Sequence, residues 1–265
     1  MDTVSYELRG PVAWIGLERP EKRNAINMAV LHGLEAAARR AQDEARAMVL
    51  FGRGPCFCAG LDLAEHRTRA AEEVLHHSRE WHRVFTGIRH GRVPAIAALH
   101  GATVGGGLEL AASCHLRVAD TSAFFALPEG RRGIYVGGGA SVHVARLIGA
   151  ARMADMMLTG RVLDAAAAER AGLVSYLEPE GAAPARAGEL AEKVASMARL
   201  TVLGVLQALP RIQSMSEDDG LFVESMMAAL AQTGTEAASG LADFVEKRGA
   251  KVALPGGGAG AEDGA

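Results

Sequence analysis

The stretch GATVGGGLELAASC occupies positions 101–114 and directly follows an apolar run, Ala95–Leu99, that predicts a short buried strand. Three consecutive glycines at 105–107 precede Glu109, which predicts a tight loop that leads into the first turn of a helix. Such a loop allows a ligand to come close to free backbone N–H groups. Glu109 is then either a harmless partner of the helix dipole or a functional carboxylate, and this stretch alone leaves both open.

Composition and charge exclude several classes of protein. With 265 residues, of which 49% are hydrophobic, the chain is long enough to bury a large core. A net charge of −3 gives no general attraction to nucleic acid or to an anionic membrane, and neither is an expected partner. The three cysteines have the spacing of neither a disulfide framework nor a zinc site, so no metal site is predicted. The first residues lack a signal-peptide pattern, and the cytoplasm is the default location.

The first ninety residues alternate between predicted strands and predicted helices. Apolar or alternating runs bounded by glycine and proline predict the strands, and apolar residues at helical spacing predict the helices. The expected elements are strands at Val4–Leu8, Val12–Leu17 and Ala47–Phe51 and helices at Met28–Arg46 and Ala70–His90. Four histidines of the second helix are interpreted as surface residues rather than metal ligands, because they do not share one helical face. They are His76, His77, His82 and His90.

Three loops carry residues that have either a structural or a functional interpretation. RPEKRNAIN, at 19–27, contains a basic cluster that is either solvated or a phosphate-binding site. CFCAGLDL, at 56–63, is either a packed loop or a second close backbone approach at 59–61. LPEGRRGIYVGGG, at 127–139, leaves Glu129 in a loop, where an exposed side chain is the simpler interpretation.

The remainder of the chain changes from mixed structure to helix. Helices are predicted at Ser141–Gly149, Ala151–Leu158 and Ala165–Ala171, with Asp164 as an N-cap, and a final strand at Gly172–Leu177. Only helices follow, at Ala185–Leu200, Thr201–Ile212, Glu217–Gln232 and Glu236–Arg248. The predicted domains are therefore a core at 1–195, a helical region at 196–254 and a low-complexity, flexible tail at 255–265.

Taken together, five stretches resemble the crotonase family, the enoyl-CoA hydratases and isomerases, almost from end to end. They are RPEKRNAIN (19–27), FCAGLDL (57–63), HGATVGGGLELAASC (100–114), FALPEGRRGIYVGGG (125–139) and LTGRVLDAAAAERAGLV (158–174). The resemblance implies an α/β fold of repeated strand–strand–helix units wound into a spiral, followed by a C-terminal helical trimerisation region. It also implies a homotrimer or a dimer of trimers.

The chemistry implied by the resemblance assigns roles to the glycine loops and the carboxylates. The substrate is an acyl-CoA thioester, so coenzyme A is part of the substrate and no separate cofactor is expected. Backbone N–H groups of Leu61 and Gly106 match the family's oxyanion hole. Glu109 and Glu129 match its two catalytic glutamates, and Gly137 matches the glycine beside the attacking water. We expect Glu109 to activate the water and Glu129 to exchange the α-carbon proton.

The same resemblance implies the substrate-binding residues. Arg19, Lys22 and Arg23 match a basic loop near the coenzyme A phosphates. The other residues that the resemblance implies either place their backbone close to the adenine or line the acyl pocket. They are Ala59, Gly60, Asp62, Leu63, Gly105, Tyr135 and Val136.

Departures from the family pattern suggest a specialised hydratase. His115 stands where an aspartate is usual, Tyr135 and Val136 lie in a segment where a proline is common, and His143 lies where the usual helix start is replaced. The alternatives are an enoyl-CoA isomerase, a hydratase-lyase for aryl enoyl thioesters, or a non-catalytic or RNA-binding relative. No role is predicted for His66.

Overall fold

A computed structural model describes residues 3–63, 70–234 and 236. The chain divides into two compact units, Met1–Met197 and Ala198–Ala265. His66, all but the first residue of the predicted helix Glu236–Arg248, and the predicted tail lie outside the described residues. Within the described part, no helix is long and apolar enough to cross a membrane.

The first unit is built on a six-stranded sheet with the order β1-β2-β3-β4-β6-β9. Its first two strands form the predicted antiparallel hairpin, and every later neighbour is parallel, because a helical or long connection returns the chain to the same edge. The strands are β1 (Val4–Arg9), β2 (Val12–Leu17), β3 (Ala47–Gly52), β4 (Ala95–Leu99), β6 (Leu116–Asp120) and β9 (Tyr176–Glu178).

A smaller sheet of three short strands, β5 (Ala102–Val104), β7 (Phe124–Ala126) and β8 (Leu163–Asp164), stands beside it. β5 and β7 each follow a strand of the large sheet after a short turn and pair in parallel. A strand of the large sheet, a strand of the small sheet and then a helix therefore recur along the chain. This is the predicted crotonase-like arrangement of strand–strand–helix units.

Helices cover both faces of the large sheet, because its strands are apolar on both sides. Ala47 and Val49 of β3 pack with one helix, α7, while Met48 and Leu50 pack into the larger core on the opposite face. The helices of this unit are α1 (Met28–Glu44), α2 (Ala71–Arg89), α3 (Gly106–Ser113), α4 (Ala140–Ile148), α5 (Ala150–Thr159), α6 (Ala165–Arg170) and α7 (Ala183–Ala195).

Two predicted elements end or begin elsewhere. The strand predicted at Gly172–Leu177 starts only at Tyr176, because buried Arg117 takes the Leu173 carbonyl oxygen as a hydrogen-bond acceptor, at 2.6 Å from Nε. That carbonyl is therefore withdrawn from strand pairing. The helix predicted at Ala185–Leu200 runs from Ala183 to Ala195, and the chain then leaves helical geometry before the second unit begins.

The described part of the second unit is helical, as predicted. α8 (Arg199–Leu203), a π-helical turn (Gly204–Ala208) and α9 (Leu209–Ile212) follow one another directly, and α10 spans Glu217–Gln232. Pro210, inside α9, lacks the N–H that would bond to the Leu206 carbonyl, which accounts for irregular hydrogen bonding at this point. Ser216 caps α10 by accepting from the Asp219 amide.

Candidate active site

The glycine-rich stretch forms a sharp corner between β5 and α3. Gly105 is the N-cap of α3 and has a φ of +55°, which an L side chain rarely adopts. A Cβ at Gly105 would also lie 2.5 Å from Oε1 of Glu129, so a side chain is excluded here by both conformation and space. The Gly105 amide donates to the Ala126 carbonyl at 2.9 Å, which ties the corner to β7.

The loop at 56–63 approaches this corner closely. Gly60 has a φ of +96°, and a Cβ there would lie 2.7 Å from the Val104 oxygen and 3.2 Å from the Gly106 nitrogen. The amides of Leu61 and Gly106 are thereby brought to the same place. Within the part of the chain that the structure describes, neither amide donates to a protein acceptor. The corner thus presents two neighbouring backbone donors, one at the N-terminus of α3.

Glu109 lies in the first turn of α3 and is 4% exposed. Its Oε1 accepts from the amides of Gly138 at 2.8 Å and Ala140 at 3.1 Å, so the carboxylate also caps the start of α4. Burial raises the pKa of Glu109 to about 7, against the effect of these amides, and the charge of Glu129 adds to the increase. Glu109 is therefore a buried, constrained carboxylate that faces a cavity.

Glu129 reaches the same cavity from a different segment, between β7 and a 3-10 turn at Gly130–Arg132. It is 8% exposed, which contradicts the interpretation as an exposed loop residue. Its Oε2 is buried without a hydrogen-bond partner among the described residues, and Oε1 faces Gly105. Burial raises the pKa of Glu129, while the nearby Arg132 opposes that effect. The two glutamates are therefore both desolvated; the amides of Gly138 and Ala140 hold Glu109, while the carboxyl of Glu129 is opposite the backbone amide of its own residue, which also lowers its pKa.

Both carboxylates line one cavity in the first unit, together with most of the predicted site residues. These are Ala59, Gly60, Leu61, Asp62, Leu63, Gly105, Gly106, Glu109, Glu129, Tyr135 and Gly137. Residues that are separated by up to about eighty positions in the sequence are thus brought together around the paired amides.

Three basic residues of the predicted substrate loop do not line the cavity. Arg19 is held by Asp62, with Nη2 2.8 Å from Oδ2, and also donates to the Ala25 carbonyl at 2.6 Å. This ion pair is mostly buried and ties the 19–27 loop to the 56–63 loop. Lys22 and Arg23 are exposed to solvent on the same loop.

The predicted acyl-pocket residues also divide into those that line the cavity and those that do not. Tyr135 lines the cavity, whereas Val136 is buried in the hydrophobic core and His143 packs against Gly139 outside the cavity lining. His115 accepts from the Ala95 amide and its other ring nitrogen contacts the Arg89 carbonyl oxygen. Burial lowers the pKa of His115 to about 4, so the ring is neutral near pH 7 and is held by these hydrogen bonds.

The sequence interpretation missed the wall that α2 contributes. Ser78 donates to the Gly137 carbonyl at 2.6 Å, and Trp81 is 4% exposed. Ring atoms of Trp81 would lie 2.6 Å from a Cβ on Gly106 and 3.0 Å from one on Gly138. Trp81 thus packs against both the donor corner and the backbone that holds Glu109.

Other lining residues were also absent from the predicted set. They are Asn27, Val74, His77, Ser78, Trp81, Arg132, Ile134 and Gly138. The prediction that the four histidines at 76, 77, 82 and 90 are surface residues is wrong for His77 and His90, which are both half-buried. His77 meets the Trp81 ring edge-on, and His90 is the C-cap of α2. The available signal was the i, i+3, i+4, i+7 spacing of Val74, His77, Ser78 and Trp81, which places these residues along one stripe of the helix.

Comparisons with known proteins find relatives along most of the chain. A family model described as Enoyl-CoA hydratase/isomerase matches residues 7–253. A solved structure from Rhodopseudomonas palustris, provisionally named an enoyl-CoA hydratase, has a TM-score of 0.90 at 51% identity, covering 93% of this chain and 95% of that one. A mitochondrial protein of Arabidopsis thaliana, also provisionally named an enoyl-CoA hydratase, is 34% identical over 88% of this chain and 79% of its own length. A Mycosarcoma maydis protein named an enoyl-CoA isomerase/hydratase is 32% identical, with 83% of this chain and 84% of the relative covered.

Proposed function

The chain belongs to the enoyl-CoA hydratase/isomerase family, and from this premise we propose that it adds water reversibly across the 2,3 double bond of a 2-enoyl-CoA thioester. The product is the 3-hydroxyacyl-CoA. The observation that carries this proposal is the pair Glu109 and Glu129, two buried carboxyl groups that line one cavity beside two free backbone donors.

The backbone donors supply stabilisation of negative charge. As water attacks the β-carbon, negative charge moves onto the thioester oxygen. The amides of Leu61 and Gly106 donate hydrogen bonds to that oxygen and stabilise the charge. Each such donor contributes about 3 kcal/mol to the transition state in comparable sites. Because the donors belong to the backbone, the glycines that permit this close approach matter more than the side chain at position 61.

The two carboxyl groups divide the proton transfers. Glu109, ionised, accepts a proton from water as its oxygen bonds to the β-carbon, and Glu129, protonated, delivers a proton to the α-carbon. A pKa of about 7 suits Glu109 to act as a general base near neutral pH. Burial raises the pKa of Glu129, which is the direction that a proton donor requires, and its buried Oε2 has no hydrogen-bond partner among the described residues. Gly137, which also lines the cavity, offers its backbone near the water.

The coenzyme A portion is proposed to extend from the donor pair along two loops. Backbone at 59–63 contacts the adenine, and Lys22 and Arg23, which are exposed, approach the phosphates. Arg19 acts differently, because its guanidinium is already paired with Asp62; its contribution is to fix the two loops relative to each other.

The second candidate is double-bond isomerisation, which the name of the Mycosarcoma maydis relative includes. An isomerase needs one base to move a proton between two carbons, so a second buried glutamate favours hydration. A hydratase-lyase acting on aryl enoyl thioesters would use the same pair of carboxyl groups.

Incubation with but-2-enoyl-CoA in water labelled with heavy oxygen tests the proposal. We expect a 3-hydroxyacyl product that carries solvent oxygen, detected by mass spectrometry. Conversion of a 3-enoyl thioester to the 2-enoyl isomer, without label and without any hydration of the 2-enoyl compound, would instead identify an isomerase.

Assembly into a homotrimer or a pair of trimers is part of the proposal. α10 exposes large apolar side chains to solvent, at Leu221, Phe222, Met226 and Leu230, and a second copy of the chain would cover them. The molar mass in solution, measured by light scattering, tests this association.

A further inference from the structure

Arg132 is a positive charge in the cavity wall. It ends the 3-10 turn Gly130–Arg132, three positions after Glu129, and lines the cavity with Ile134 and Tyr135. Across residues 3–63, 70–234 and 236, its guanidinium makes no ion pair and no side-chain hydrogen bond. The planar guanidinium group of an arginine is suited to bind a carboxylate through two parallel hydrogen bonds.

None of the described carboxyl groups in the cavity lining forms an ion pair with Arg132. Asp62 is engaged by Arg19 in a mostly buried ion pair. Oε1 of Glu109 accepts from the amides of Gly138 and Ala140, and Oε1 of Glu129 faces Gly105. Arg132 lies near enough to Glu129 to oppose the increase of its pKa, but its guanidinium is left able to bind the carboxylate of a ligand.

The position of Arg132 relates it to the acyl group rather than to coenzyme A. In the proposed function the thioester oxygen lies at Leu61 and Gly106, and the carboxyl groups act at the next two carbons. The part of the acyl chain beyond the β-carbon then contacts the segment after Glu129. The proposed coenzyme A contacts lie elsewhere, on the loops at 19–27 and 56–63.

We infer that the preferred substrate is a 2-enoyl thioester whose acyl chain ends in a carboxylate, and that Arg132 binds that carboxylate. Val74 and Ile134, which line the same cavity, provide apolar surface for the intervening chain, and the Tyr135 hydroxyl offers a second donor. This inference deepens the proposed function and rests on it.

The neighbouring arginine provides a matched control. Arg131 belongs to the same 3-10 turn, but its side chain packs at Gly160, where its Cδ would lie 2.5 Å from an added Cβ, and it does not line the cavity. The variants Arg132→Gln and Arg131→Gln therefore remove the same charge from adjacent positions, inside and outside the cavity.

The experiment compares hydration of paired thioesters by the purified full-length protein. Pent-2-enedioyl-CoA and hex-2-enedioyl-CoA are each paired with the ester in which the distal carboxylate is methylated. We expect kcat/KM to favour the carboxylate by about 10-fold or more at the better chain length, as a charge-assisted contact provides. Arg132→Gln should abolish this ratio, Arg132→Lys should restore part of it, and Arg131→Gln should leave it intact.

Other outcomes overturn the inference and separate it from the proposed function. Hydration of but-2-enoyl-CoA with no preference for either paired carboxylate contradicts the inference alone. An equal loss on every thioester in Arg132→Gln, with weaker inhibition by free coenzyme A, would assign Arg132 to the phosphates. An equal loss accompanied by a shifted pH profile would assign it to the ionisation of Glu129. Failure of all thioesters to take up water overturns the proposed function and the inference with it.

Discussion

Glu109 and Glu129 reach one cavity from two regions that are built differently. α3, which carries Glu109, is buried along its whole length, and backbone amides at 138 and 140 hold the carboxylate. The segment after Glu129 is largely exposed from 130 to 135, and buried Oε2 of Glu129 has no partner among the described residues. The first region therefore holds its carboxyl group in one position, while the second places a carboxyl group beside an exposed surface. In the proposed function, that surface can vary with the acyl chain.

The largest expected effect comes from removing either carboxyl group. Glu109→Gln and Glu129→Gln should each lower kcat for but-2-enoyl-CoA hydration by about 10²–10⁴-fold, the usual contribution of a general acid or base. Glutamine preserves size and, at position 109, an oxygen that can accept from the Gly138 amide. Thioester binding, measured by calorimetry, should persist. Turnover by both variants at the wild-type rate would contradict the two-carboxyl mechanism.

The burial of Glu109 should also change how the free energy of unfolding depends on pH. The folded protein binds the Glu109 proton more tightly than the unfolded chain does, since burial raises the pKa from 4.5 to about 7. The wild type therefore loses stability as pH rises through this window, by about 3 kcal/mol from this group. Glu109→Gln lacks that loss.

The free energy of unfolding of Glu109→Gln minus that of the wild type should accordingly rise between pH 4.5 and 8. Denaturant titrations at a constant protein concentration measure this difference. Taking a difference removes the opposite contribution of His115 and His143, whose pKa values burial lowers to about 4 and which destabilise the fold as pH falls. A flat difference curve would show that Glu109 is not desolvated as described.

A smaller effect should follow from disturbing the amides that hold Glu109. In Gly138→Ala the new Cβ would lie 2.6 Å from Glu109 Oε2 and 3.0 Å from the Trp81 ring, so the carboxylate must move. We expect kcat to fall by roughly 10–100-fold, since misplacing a reacting group by about 1 Å costs up to that much. Gly87→Ala, where nothing lies within 4 Å of the new Cβ, is the control and should keep its activity. Equal activities of the two variants would contradict the proposed constraint.

The sequence predicted the glycine corner because it belongs to one contiguous motif, whereas the catalytic roles of both glutamates rest on the resemblance and stay predictions. Gly105 is required for a local reason, its positive φ, whereas side chains at Gly106 and Gly107 are excluded by Trp81 and Cys58, which lie far away in the sequence. The apolar run before these glycines indicates a strand by its own composition. The two carboxyl groups needed the order and spacing of five motifs, since alone each had a simpler structural interpretation.

The sequence motifs did not predict contacts between segments that are far apart in the chain. The pairing of Arg19 with Asp62 joins residues 43 positions apart, and the basic cluster gave no sign that one member was already neutralised. Trp81 meets glycines 25 and 57 positions later, and helical periodicity predicts only that it faces inward. The burial of Glu129 likewise depends on how three loops pack together.

The smallest expected effect comes from the contact between α2 and the glycines at 137–139, which lie beside the carboxyl group of Glu109. Ser78 Oγ donates to the Gly137 carbonyl at 2.6 Å, immediately before the amides that hold Glu109. Ser78→Ala should lower kcat by about 3–10-fold with KM almost unchanged, because one hydrogen bond of about 1 kcal/mol positions the segment. Ser196→Ala removes a similar hydroxyl-to-carbonyl bond, to Lys193, outside the cavity and is the control. If both variants lose stability alike but neither loses kcat, Ser78 supports the fold rather than the position of Glu109.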